Sequence, residues 1–173
     1  MCPATHCVLL TCGLLHAQGD WAHNKRHGTG LCEFAQSGRR FRGSWENDLW
    51  VQSSAEPMYC KLRGPGLARA IAGAPAKASL KAYDEERNTR LCGGDTFRVW
   101  LQKPAKAGQA DEEERLYGVV TDSGDGTYAL SYSATKAGMY ELHVTSADGE
   151  HVADSPYPVR VRAHTRVRCD DMP

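Results

Sequence analysis

Asp125-Gly126-Thr127-Tyr128-Ala129-Leu130-Ser131-Tyr132 and, shortly after it, Gly138-Met139-Tyr140-Glu141-Leu142-His143-Val144-Thr145 are the stretches that decide the fold. In both, large apolar side chains take every second position: Tyr128, Leu130 and Tyr132 in the first, Tyr140, Leu142 and Val144 in the second. A period of two puts one set of side chains on one face of an extended chain, which is the pattern of a half-buried antiparallel strand. Strands are therefore expected over 127–133 and 139–145. Asp122-Ser123-Gly124-Asp125-Gly126 before the first supplies residues that tolerate positive φ, as a tight turn requires. Tyr140, just after Gly138, stands where a tyrosine corner would tie the second strand back to the turn before it.

The same alternation recurs on both sides. Phe97, Val99 and Leu101 alternate with Arg98, Trp100 and Gln102 over 96–102, and Ala78, Leu80 and Ala82 share a face over 76–83. Further strands are read at 58–62, 116–121 and 158–163, the last with Val159 and Val161 inward. Asp148-Gly149 marks another turn. Seven short strands in about 105 residues make an all-β, seven-stranded immunoglobulin-like β-sandwich the expected fold.

Composition agrees with a globular chain: of 173 residues, 41% are hydrophobic and 24% charged, and 17 Gly with 8 Pro point to many turns. Lys+Arg and Asp+Glu both total 21, so the net charge of zero argues against nucleic acid as the main partner. The seven cysteines have no zinc-type pairing and no framework of short loops, which reads as reduced thiols in a cytoplasmic protein. Cys7–Leu15 is apolar and Leu15-His16-Ala17 resembles a signal-peptidase site, so a secreted adhesion-type domain is the alternative. No Lys or Arg precedes that stretch, and Thr11, Cys12 and Gly13 interrupt it. No segment reaches the about 18–20 apolar residues of a membrane-spanning helix.

Upstream of 53–57, the natural boundary, the texture changes to Trp, His, Arg and Gly. Gly19-Asp20-Trp21 and Gly43-Ser44-Trp45 share a Gly-x-Trp core at a period of 24 (45 − 21), with Lys25-Arg26-His27-Gly28-Thr29-Gly30 between them, where a tight hairpin turn is expected. This resembles a partial MORN repeat, a β-hairpin unit of similar period, over 19–54; Asp48-Leu49-Trp50 departs from the pattern. Such a repeat cannot bury its apolar face alone. The segment is accordingly expected to be an N-terminal hairpin-repeat fragment that packs on the sandwich, is the eroded end of a longer array, or is poorly ordered, the last two together being preferred. Residues 1–18 are expected to be disordered or the end of a repeat, and 164–173 a tail.

From 58 to 163, six motifs fall in register: Gly64-Pro65-Gly66-Leu67, Gly73-Ala74-Pro75-Ala76, Gly93-Gly94-Asp95, Asp125-Gly126-Thr127-Tyr128, Gly138-Met139-Tyr140 and Ser155-Pro156-Tyr157-Pro158-Val159. Together they resemble a filamin repeat, with Tyr157 in place of the more usual Phe and a longer polar loop over 103–115. The resemblance implies a scaffolding module of the actin-cytoskeleton neighbourhood that binds extended peptides, such as cytoskeletal or receptor tails. Binding would be by strand addition in the groove between the third and fourth strands. Carried onto this chain, the groove would be lined by Arg98, Trp100, Gln102, Tyr117 and Val119, with Trp100 as the anchor. Direct actin binding is not expected, because the chain has no room for a calponin-homology domain. The alternative is a targeting or spacer piece of a larger protein.

Enzymatic chemistry is not expected. No nucleophile elbow, no phosphate-cradling loop and no Cys–His pair with an orienting third group is present. Asp122, Asp125 and Glu141 lack calcium-loop spacing, Asp111–Glu114 reads as a solvated acidic run, and His23 with His27 lies in a hairpin. Cys2, His6, Cys7, Cys12 and His16 are too irregularly spaced for a metal, so neither metal nor cofactor is expected. MORN repeats have been linked to phospholipid surfaces, which makes Lys25, Arg26, Arg39, Arg40 and Arg42 candidate contacts to an anionic membrane.

Overall fold

The computed structural model describes residues 6–7, 14–34, 38, 40–104 and 115–164. Among them, regular structure is β throughout apart from one 3₁₀ turn. No helix among them is long and apolar enough to cross a membrane. The chain divides into two compact units: Met1–Lys61, Lys81–Asp95 and Asp122–Thr127 form one, and Leu62–Leu80, Thr96–Thr121 and Tyr128–Pro173 the other.

The first unit is built on an antiparallel five-stranded sheet of β1 (His6–Cys7), β2 (Leu14–Ala22), β3 (Lys25–Phe34), β4 (Arg40–Glu46) and β5 (Leu49–Val51), in the order β1-β5-β4-β3-β2. Two-residue turns close the β2–β3 and β4–β5 hairpins: His23 and Asn24 at φ 50 and 61, Asn47 and Asp48 at φ 52 and 70. Paired positive φ matches the right-handed twist of the flanking strands, and Asn and Asp tolerate it best after Gly. The hairpin turn expected within Lys25–Gly30 is thus displaced to His23-Asn24, and Lys25–Gly30 is strand. The glycines there serve close approach instead: a Cβ on Gly30 would come 3.3 Å from the Trp45 ring.

This sheet has its own core of Cys32, Phe41, Trp45 and Trp50, against which Ala17 and Leu91 pack. Phe41 meets Trp50 edge-on at 4.6 Å, and Trp45 and Trp50, opposite one another in register, are 5.6 Å apart. Such aromatic pairs contribute roughly 0.5–1.5 kcal/mol beyond area burial. The expectation of a poorly ordered 19–54 is corrected by this core. The boundary expected at 18 moves as well, because Leu14–Gln18 already belongs to β2, with Ala17 opposite Cys32.

Nor is 53–57 a loose linker. Gln52 donates to the Asp84 carboxylate at 3.0 Å and accepts from Leu91 N–H at 3.0 Å. Arg90 donates to Ser53 C=O at 2.7 Å and pairs with Asp95 at 3.1 Å, while Ala55 N–H donates to Asp95 at 2.9 Å. Arg90, Asp84 and Gln52 are all buried and satisfied, the condition on which buried polar groups are tolerated.

The sandwich consists of β6 (Lys61–Arg63), β7 (Arg69–Ile71), β8 (Ala76–Lys81), β9 (Phe97–Gln102), β10 (Leu116–Tyr117), β11 (Val119–Asp122), β12 (Thr127–Tyr132), β13 (Gly138–Ser146) and β14 (Tyr157–Arg162). One sheet has the order β10-β9-β13-β14-β7, the other β11-β12-β8-β6. Leu80, Val99, Leu101, Tyr128, Leu130, Leu142, Val144 and Val159 are all at most 2% exposed, the inward set that the alternation requires. Each such side chain contributes roughly 1.5–3 kcal/mol on burial. Tyr140 donates to Lys136 C=O at 3.0 Å, forming the expected tyrosine corner.

Two expected strands differ. The first, read at 58–62, starts only at Lys61 as β6, with Met58 and Tyr59 in a turn; a further strand, β7, follows the 3₁₀ turn Pro65–Leu67 and crosses to lie parallel to β14. Gly66 makes the crossing possible, since a Cβ there would fall 2.6 Å from Lys77 O, and its own C=O accepts the Tyr132 hydroxyl. The fourth, read at 116–121, breaks at Gly118: β10 pairs with β9 and β11 with β12. A side chain at Gly118 would meet Ser131 O at 2.6 Å.

Candidate functional site

The sequence-predicted groove residues all lie on β9, β10 and β11. Along β9 the odd positions point inward, so Arg98 is exposed and Trp100 and Gln102 are half-buried on the outer face. Tyr117, opposite Trp100 in the β9–β10 pairing, is 70% exposed, and Val119 is 64% exposed. The structure therefore brings Arg98, Trp100, Gln102 and Tyr117 onto one sheet face, with Val119 following across the break at Gly118.

The edge itself differs from the expectation. Strand β9 is not open to a guest strand between Val99 and Leu101, because Gly118 N–H donates to Val99 C=O at 2.8 Å and Leu116 pairs with Leu101. The chain's own β10 occupies that edge. β11 lies at the outer edge of its sheet.

Trp100 belongs to an aromatic row that sequence reasoning missed. Its indole is stacked on His143 of β13 with centroids 5.0 Å apart, Tyr117 lies 6.4 Å away on the other side, and His143 is 5.5 Å from His151. The Arg115 guanidinium sits 5.4 Å from the Trp100 ring centroid. Glu141 comes within 3.7 Å of His143, and His151 Nδ1 is 3.1 Å from Ser155 Oγ. Burial, then His151 and Arg115, pull the His143 pKa below 6.5 against the opposing pull of Glu141. Trp100 Nε1 and both His143 ring nitrogens are buried with no hydrogen-bond partner among the described residues. The signal that could have exposed this row was the outward positions of 139–145, where His143 falls opposite Trp100.

The candidate lipid contacts are differently placed. Arg26 is buried: its guanidinium lies 4.2 Å from the Trp45 ring centroid and pairs with Asp48 at 2.9 Å, so it is a support of the first unit's core and no membrane contact. Its hydrogen bonds hold the Asp48 carboxyl below the usual range. Arg40 pairs with Glu33 at 3.0 Å, Lys25 and Arg42 are exposed, and Arg39 lies outside the described residues. Arg42 is also tied through its backbone, whose C=O accepts from Asn88 at 2.6 Å.

Cys32 and Cys60 are free and buried, whereas Cys92 is disulfide-bonded, which corrects the expectation of reduced thiols at that position. Burial pushes the Cys60 thiol up to about 11. Cys2 and Cys12 of the irregular N-terminal cluster, the acidic run Asp111–Glu114 and most of the tail lie outside the described residues. Among the described residues no three His, Cys, Asp or Glu side chains come together where a metal could be held.

Relatives and fold neighbours agree on what this surface belongs to. The E3 ubiquitin-protein ligase TRIM71 of Rattus norvegicus is 31% identical over 115 residues, covering 66% of this chain and 12% of that protein. The E3 ubiquitin-protein ligase TRIM45 of Homo sapiens is 31% identical over 111 residues, covering 64% and 18%. The chain thus spans less than a fifth of the length of either. The crystal structure of the Lin-41 filamin domain matches with a TM-score of 0.52 at 17% identity, over 64% of this chain and 98% of that one. The sequence profile of the Filamin/ABP280 repeat matches residues 54–158, and with that match over more than half its length the chain belongs to the filamin-repeat family.

Proposed function

We propose that the chain is a partner-recognising module within a larger protein, holding extended peptide segments at the edge where its fourth strand divides. The observation that carries the reading is the break at Gly118, which leaves Tyr117 on β10 and Val119 on β11 both exposed. An edge strand presents unpaired backbone groups, and a guest strand adding there would find those side chains beside it. Since β10 already pairs with β9, the acceptor edge in this reading is β11, the outer strand of the other sheet. In a protein of the ubiquitin-ligase kind, such a module would choose what the rest of the chain acts upon. The targeting role is better supported than an actin-cytoskeleton association with a cytoplasmic address, since none of the relatives described above is an actin-binding protein by name.

The MORN-like reading of the first unit fits the spacing of its turns, His23-Asn24 and Asn47-Asp48, which recur at 24 residues (47 − 23). In this reading Lys25, Arg40 and Arg42 could face an anionic membrane, and Arg26 could not. Co-sedimentation with anionic vesicles equal to that with neutral ones would remove the idea.

A second reading, an adhesion-type domain, is favoured by the disulfide at Cys92, since disulfides persist in oxidising compartments. Mass spectrometry of Cys92 in protein recovered from cells separates the two: a free thiol excludes the adhesion reading.

The recognition reading is tested by selecting extended peptides against the full chain and repeating the binding with Tyr117→Ala/Val119→Lys. Loss of about tenfold or more in affinity is expected, the scale of interface anchors. Unchanged binding by the folded variant would place the partner elsewhere.

A further inference from the structure

At the far side of the same sheet, away from β10, three arginines stand on adjacent strands with no counter-charge among the described residues. Arg160 of β14 lies opposite Arg69 of the parallel strand β7, and Arg162 lies opposite Ile71. All three are exposed and alternate with the buried Ala70, Val159 and Val161, so they point out from one face. None makes an ion pair or a side-chain hydrogen bond with any described residue. Glu141, on the adjacent strand β13, sits opposite Pro158 and comes within 3.7 Å of His143. Like charges directly opposite one another on a sheet are destabilising, so the arrangement costs stability in the isolated molecule. Beside the arginines, Met139 is 54% and Ile71 49% exposed, and Gly138, Met139, Arg160 and Arg162 line a depression of about 480 Å³. β7 is the outermost strand of the sheet.

We propose that this β7–β14 face binds an acidic peptide segment, which adds as an extended strand along β7 and places alternate carboxylates over Arg69, Arg160 and Arg162. Side chains two apart on a strand recur every ~6.6–6.8 Å on the same face, the spacing at which Arg160 and Arg162 themselves stand. Carboxylates at alternate guest positions therefore meet the arginines in register, and guanidinium groups bind carboxylates through paired, charge-assisted hydrogen bonds. Met139 and Ile71 provide apolar surface for side chains beside the acids. A single-stranded nucleic acid fits less well, because the outward positions of β7 and β14 (Arg69, Ile71, Pro158, Arg160, Arg162) include no aromatic ring on which bases could stack. The surface is separate from the β11 edge and does not depend on that reading.

The test is fluorescence anisotropy with the full chain and a labelled peptide of alternating Glu and Val. Its probes are the same peptide with Gln for Glu, the same peptide N-methylated at alternate residues, an oligouridine, and phosphatidylserine vesicles. The Glu peptide is expected to bind about tenfold more tightly than the Gln peptide at low salt, with the difference shrinking as salt rises. Arg69→Ala/Arg160→Ala/Arg162→Ala should abolish that difference, the corresponding Lys variant should restore part of it, and N-methylation should remove binding. Equal binding of Glu and Gln peptides, a folded triple-Ala variant that keeps the preference, or indifference to N-methylation would overturn the proposal. So would oligouridine or vesicles binding more tightly than the Glu peptide. Should the triple-Ala variant fail to fold, the Lys variant and the N-methylated peptide still decide.

Discussion

The Trp100 indole and the His143 imidazole lie face to face across β9 and β13, their planes only 4° from parallel. One ring is permanently neutral and the other titratable, so the outer face of this sheet carries a pH response. Burial first, then His151 and Arg115, depress the His143 pKa below 6.5, with Glu141 opposing. The folded state consequently binds fewer protons at this site than the unfolded chain. The stabilisation is complete above pH 6.5 and is lost as pH falls through the folded value. His143→Gln should flatten the fall in urea midpoint on acidification from 6.5. A variant with the wild-type slope would show that His143 is not the group responsible.

The buried pair Arg90–Asp95 predicts a large asymmetry. Side-chain exposures of 3% and 9% leave no solvent to compensate a lost partner. Asp95→Ala should cost about 3–5 kcal/mol, because Arg90 would be left charged and buried. Chemical denaturation measures this directly, and a loss below about 1 kcal/mol would mean that water reaches the guanidinium.

Gly66 sets the crossing of the first strand. Gly66→Ala places a methyl group 2.6 Å from a backbone oxygen of Lys77, an atom that moves only with its strand. Destabilisation of about 2 kcal/mol or more is expected, in the upper part of the range for single substitutions. Gly149→Ala, at φ 90 with nothing within 4 Å, tests the contrast between strain and collision and should cost less.

Cys60 should be inert in the native protein. Its pKa near 11 and its burial deny it both thiolate and access. Alkylation near neutral pH should therefore track unfolding, followed by mass spectrometry across a denaturant series. Rapid labelling without denaturant would contradict its burial.

Much of the sandwich was legible because period-two alternation reports which face of a strand is buried. Val99, Leu130, Leu142 and Val159 all lie inward as that pattern requires. Tyr140 was legible for a local reason, its bond reaching only to Lys136. Alternation does not say which neighbour a strand chooses. The divisions at Gly66 and Gly118 follow from close approaches to Lys77 and Ser131, which no local pattern records. The stacking of Trp100 on His143 needs the β9–β13 register, and the burial of Arg26 needs Trp45 and Asp48 brought to it across the sheet. Arg98, Trp100, Gln102 and Tyr117, chosen by exposed-face position, lie on the outer faces of β9 and β10, while Arg26, chosen by charge alone, supports a core.

The bonds from Gln52, Ser53 and Ala55 to Asp84, Arg90, Leu91 and Asp95 bear on how this domain can be inherited and handled. A family boundary drawn at residue 54 cuts between partners, stranding Asp84 and Arg90 without Gln52 and Ser53. Recombination or cloning at that seam would take the Gln52 amide from Asp84 and the Ser53 carbonyl from Arg90, leaving Asp84 to Asn88 alone and Arg90 to Asp95 alone. The portable piece begins further upstream, with the strands that deliver Gln52.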